Sequence, residues 1–159
     1  MAKLVISKTP KAFPLTVKVP TPTGTDEIIF DAKHLKTSEW DKLREDHVEA
    51  VNKEVGAMFD ASRKEAEAAY AKKKKADVVD AEAEELAIEA LRKPVKDSEI
   101  SALRSRFSTA LILKIANGWD LEDAFGEASL LEMCDLYRAA PEAIFKAYGE
   151  ALSGARLGN

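Results

Sequence analysis

The apolar residues of this chain change their spacing near residue 36, and that change decides the fold class. Upstream of it they alternate, with Leu15, Val17 and Val19 in one stretch and Ile28, Phe30 and Ala32 in a second. Alternation rich in β-branched residues is the pattern of a half-buried strand. Downstream they recur every three or four residues: Trp40, Leu43, His47 with Val48, Val51, Val55, Met58 and Phe59. That is the stripe of an amphipathic helix. A switch from period two to period 3.6 predicts an α+β fold, with a small N-terminal antiparallel hairpin or sheet followed by a mainly helical body. A chain of 159 residues is long enough to bury a core and fits one continuous domain. Its regions are a hairpin (1–36), a charged Ala/Glu/Lys-rich helical segment (37–96) and a compact helical part (97–159).

Four of the six prolines, Pro10, Pro14, Pro20 and Pro22, fall in the first region. Proline lacks the N–H that a central strand must donate, so these strands suit a sheet edge. Residues 20–26 read as a turn-rich loop between the strands, and Leu4-Val5-Ile6 as a short additional strand. Thr37 or Ser38 is placed to cap the first helix. Gly56 lies inside its stripe, where glycine costs about 1 kcal/mol relative to alanine and allows a bend. The middle region has few large apolar residues. It reads as one long exposed helix or a helical pair, its second stripe (Val79, Ala83, Leu86 with Ala87, Leu91) stopping before Pro94. In the last region Asp97 or Ser98 is placed to cap a helix through Ile100, Leu103, Phe107, Leu111 and Ile115. Asn117-Gly118 is expected to end that helix with a left-handed glycine, and Trp119-Asp120-Leu121 to begin a connection. A helix over roughly residues 128–138 follows. A last helix starts at Pro141, which suits a first helical position, and is closed by Gly154.

Composition narrows the chemistry. The single cysteine, Cys134, allows neither an internal disulfide nor a multi-cysteine metal site. The only histidines, His34 and His47, form no metal-binding pair. No glycine-rich phosphate loop or nucleophile elbow is present, so no enzyme activity and no cofactor are expected. Carboxylate pairs such as Asp26/Glu27 and Glu122/Asp123 are numerous, but among 28 acidic residues they read as solvated. The net charge is −4. It is distributed as six lysines against three acids in 1–36, twelve basic against fifteen acidic residues in 37–96, and six against ten in 97–159. That balance speaks against nucleic acid as a partner. The run Lys72–Lys75 is flanked by acids and reads as a solvated helix face. No stretch is apolar enough to span a membrane, and no secretory signal is expected.

What remains suits protein–protein contact. Trp119, Leu121, Phe125, Tyr137, Phe145 and Tyr148 gather in the last region. They are candidates either for a helical core or for a groove that takes a helical client.

The last third also carries an ordered series of segments. These are Ala116-Asn117-Gly118-Trp119-Asp120-Leu121-Glu122-Asp123, then Ala128 to Tyr137 with its Leu130-Leu131 pair, then Pro141, then Ala147-Tyr148, then an ending from Gly154 to Asn159. This order resembles the tail assembly chaperones of long-tailed bacteriophages. The hairpin leading through Phe30-Asp31-Ala32 to Ser38-Glu39-Trp40 is similar too. The resemblance implies a non-enzymatic protein that binds the tape measure protein and keeps it soluble. It also implies help in recruiting the major tail tube protein, action in the host bacterial cytoplasm, and absence from the finished virion. Self-association is compatible with it. Many members are made in two forms by ribosomal frameshifting, and the ending at Arg156–Asn159 suits a short form.

Overall fold

The computed structural model describes residues 6–74 and 80–154. The fold is α+β: a three-stranded antiparallel sheet and five helices. The strands are β1 (Ala12–Thr21), β2 (Gly24–Lys33) and β3 (Ala116–Trp119), in the order β1-β2-β3. The helices are α1 (Thr37–Lys73), α2 (Ala81–Leu91), α3 (Asp97–Ile115), α4 (Glu127–Leu136) and α5 (Ala140–Leu152). The chain divides into two compact units, Met1–Val48 with Arg104–Asn159, and Glu49–Leu103.

In the first unit both alternating stretches are strands in the expected phase. Leu15, Val17, Val19, Ile28, Phe30 and Ala32 are all buried on one face of the sheet. That face joins Trp40, Ile112, Ile115, Leu130, Ile144 and Tyr148 in one core. α5 packs along β1 and α4 packs against α5. The connection between β1 and β2 is only Pro22-Thr23, shorter than the loop expected over 20–26, because the register runs unbroken to Thr21↔Gly24. Gly24 has φ +146°, which glycine reaches without a Cβ clash. Proline is tolerated inside β1 because β1 is an edge strand. The Lys11 carbonyl accepts the His34 N–H at 2.8 Å, so odd residues of β1 bond to β2 and even ones, Pro14 and Pro20 included, point away.

The stretch at 116–119 corrects the expectation of a helix end and a connection. α3 stops at Ile115, and Ala116–Trp119 pairs with β2 at Phe30↔Trp119, Asp31↔Gly118 and Ala32↔Ala116. Four residues are too few to display a period. The pairing partner lies far away in sequence, and Gly118 sits beside an irregularity at Asp31/Ala32 rather than in a left-handed cap. Both expected helix caps are also displaced. The first turn of α1 begins on the Lys36 carbonyl, and the Glu39 carboxylate accepts the Lys36 N–H at 2.8 Å. α3 repeats the device with Lys96 and Glu99 at 3.3 Å. This is the reach-back half of a capping box, which uses the cap residue's backbone and so tolerates lysine there. Gly154, with φ +73°, closes α5 as expected.

The second unit holds the end of α1, α2 and the start of α3. α1 runs as α-helix through Gly56 to Lys73, and α2 is a separate helix with Asp80 as its cap. Val51, Val55, Met58, Tyr70, Ile88 and Leu91 are half-buried here, beside exposed ion pairs. Arg63 bonds Glu67 at 2.9 Å and Glu85 at 3.0 Å, Lys93 pairs with Glu65, and Arg92 lies 5.9 Å from the centre of the Phe59 ring. Ala66 and Leu103 are the buried apolar residues among those described in this unit. Leu4, Val5, Lys75, Val79 and the ending from Ala155 lie outside the described residues. Ile6 opens a 3-10 turn rather than continuing a strand.

Candidate functional site

Beyond Trp119 the chain leaves the sheet. The Asp120 N–H still donates to the Ile29 carbonyl at 3.0 Å. The return bond from the Ile29 N–H goes to the Asp120 carboxylate at 2.8 Å, which takes the place of the backbone carbonyl and ends the ladder. The chain then turns through Asp123, whose carbonyl accepts the Trp119 indole N–H at 2.6 Å. The Ser129 hydroxyl donates to the Ala124 carbonyl at 2.6 Å and fixes the start of α4.

Between the hairpin tip and α4 this leaves a groove of about 340 Å³. Val19 and Ile28 come from the sheet, Trp119 and Leu121 from the strand end, and Met133, Leu136 and Tyr137 from α4 and the residue after it. The apolar walls are not all hidden. Leu136 is 64% exposed and Leu121 37%. Asp26, Glu27, Asp123 and Glu132 also line the groove, without a lysine or arginine. Among the described residues none of these four acids is in an ion pair. An apolar trough with unpaired carboxylates suits a protein segment that carries apolar and basic side chains.

The six candidate residues separate into two places. Trp119, Leu121 and Tyr137 line the groove. Phe125 stands behind it, edge-on to Trp119 with ring centres 5.3 Å apart, while Phe30 supports the indole at 6.0 Å. Phe145 and Tyr148 lie instead with Trp40, at 6.2 and 4.8 Å. Tyr148 is fully buried and its hydroxyl donates to the Lys33 carbonyl at 2.6 Å. Burial pushes its pKa up to about 12; Glu39 adds to this and a backbone hydrogen bond with Leu35 opposes it.

Sequence reasoning missed Leu136 and the four acids as groove residues. One signal for Leu136 was present. Apolar residues at 130, 131, 133, 134, 136 and 137 are too many for a helix that buries a single stripe. The acids carried no signal, since the hairpin tip and α4 meet only in the folded chain.

The potential nucleophile and base are placed for packing. Cys134 is buried beside Thr109, Sγ to Oγ1 3.9 Å, and burial raises its thiol pKa. His47 packs edge-on against Phe145 and Phe107, at 5.6 and 6.5 Å. Burial lowers its pKa, with Lys114 acting the same way and a backbone hydrogen bond at Phe107 opposing. The other histidine, His34, contacts the Pro10 carbonyl through Nδ1 at 3.1 Å. No group of three or more His, Cys, Asp or Glu suited to a metal occurs among the described residues. No described helix is long and apolar enough to cross a membrane.

A family model described as phage tail assembly chaperone matches residues 1–159. Neither a curated protein nor a solved structure matches the chain.

Proposed function

Because the chain belongs to the phage tail assembly chaperone family, we propose that it binds the tape measure protein and keeps it soluble until tail tube subunits surround it. The docking site in this reading is the groove between the hairpin tip and α4. The observation that carries it is the exposure of Leu136 and Leu121 beside half-buried Trp119 and Tyr137, under four carboxylates that no described residue pairs. A tape measure chain shows apolar stripes until the tube covers it, and such stripes associate unless they are shielded. The groove shields one short apolar segment, and the carboxylates favour a segment with lysine or arginine beside it. The net charge of −4 helps keep the complex in solution.

A groove this small binds weakly alone. Several copies along one client hold it by avidity, and a tube subunit can displace each copy in turn. The role is non-catalytic and needs no cofactor. It places the protein in the host cytoplasm, in contact with the tape measure and major tail tube proteins, and outside the finished virion. Nucleic acid and membrane have no part in it.

Co-expression with the tape measure protein of the same locus tests the proposal. The tape measure protein should be soluble and co-purify with this chain, and should precipitate without it. A tape measure protein that precipitates equally in both cases would remove the reading. Mass spectrometry of purified particles should find no stoichiometric copy of the chain.

A further inference from the structure

The groove borders a piece of sheet edge that has no partner among the described residues. In the β1–β2 ladder the even residues of β2 face β1, as the Lys11/His34 bond fixes. The odd residues therefore turn their backbone N–H and C=O groups to the other side. Ile29 uses both of its groups on Asp120. The next two odd residues are Glu27 and Thr25, and β3 has already ended. Among the described residues no hydrogen bond reaches the outward backbone groups of Glu27 or Thr25. Thr25, Asp26 and Glu27 are exposed, and Asp26, Glu27 and Ile28 line the groove.

We infer that the client segment docks extended, as a short strand that continues the line of β3 and hydrogen-bonds the backbone of Glu27 and Thr25. This rests on the tape measure reading and specifies how the client is held. A helical segment would cover these backbone groups without satisfying them, because its own bonds are internal. An extended segment satisfies them and sends alternate side chains to opposite faces. The residues beside Ile28 and Asp26 point into the groove, toward Trp119, Met133 and Leu136. The residue between them stands beside the Glu27 carboxylate, on the other face. The preferred segment is thus apolar, basic, apolar, the basic residue matching the Glu27 carboxylate, which is in no ion pair among the described residues.

Hydrogen exchange on the co-purified complex, read residue by residue, tests this. The amides of Thr25 and Glu27 should slow at least tenfold on complex formation, whereas Asp26 and Ile28, already bonded to β1, should change little. Glu27→Pro removes the outward N–H together with the carboxylate, and no hydrogen bond of the β1 ladder. It should cut the retained tape measure protein about tenfold, whereas Glu27→Ala, which loses the same carboxylate but keeps the N–H, should lose clearly less. A complex in which Thr25 and Glu27 exchange at the free rate would overturn edge docking and leave the client reading standing. The same holds if a folded Glu27→Pro variant retains the client as well as Glu27→Ala. Should Glu27→Pro fail to fold, the exchange rates of the unaltered protein decide. If the unaltered protein forms no complex, both inferences fall.

Discussion

The two tryptophans of the chain sit in the same unit and do opposite things. Trp40 is 2% exposed, edge-on to fully buried Tyr148, and its indole nitrogen lies 3.2 Å from where a Cβ on Gly149 would stand. Trp119 is half-buried, held by one backbone carbonyl and two rings, with its remaining surface in a groove. The first place is closed by packing on every side. The second is built to the same standard from behind and left open in front. Aromatic content alone does not separate core from contact surface. What separates them is whether the ring is covered on every side: after Asp120, Asp123 and Phe125 back the Trp119 ring and leave it half-buried.

The sharpest way to break this contrast is Trp40→Ala. Emptying a packed aromatic site should cost about 3–5 kcal/mol and be seen as a large fall in thermal midpoint. Leu136→Asp should instead leave the midpoint almost unchanged. It should weaken client binding by about 2 kcal/mol, as loss of a central contact does, measured by titration of the client. If Leu136→Asp melts the fold, the groove is part of the core.

Tyr148→Phe probes the closed end more finely. It removes the hydroxyl's hydrogen bonds with the Lys33 carbonyl and the Leu35 backbone and should cost about 1–2 kcal/mol in denaturant titration. It also tests the alkaline limb. The folded-state pKa of Tyr148 lies above the ordinary value of 10, at about 12. Its contribution is therefore complete below pH 10 and lost as pH rises toward 12, and the phenylalanine variant should lack that part of the fall. The smallest effect expected is acidic. His47 has its pKa lowered by burial from 6.5, so the unfolded chain takes up the proton first. Stability should be full above pH 6.5 and decline as pH falls below it. His47→Gln should flatten that decline.

The closed end was the more legible in sequence. Leu15, Val17, Val19 and Ile28, Phe30, Ala32 alternate over long enough stretches to give strand, face and phase, and all six are buried as expected. The helices were equally clear, although Val48, Phe59 and Leu86 of the expected stripes are exposed, and the caps at Lys36 and Lys96 were hidden because they act through the backbone. The open end was not legible. β3 is strand only because β2 pairs with it. The groove exists only because residues near 26 and residues near 136 meet across more than a hundred positions of chain. Trp119 could be singled out from its motif, and its exposure could not.

A photo-crosslinker placed at Leu136, with a second at exposed Val48 as control, tests the central claim most directly. In cells that also make the tape measure protein, irradiation should join position 136 to short apolar, basic segments of that protein and leave position 48 unjoined. Cross-links of equal yield from both positions, or from position 48 alone, would contradict the assignment of the groove as the docking site.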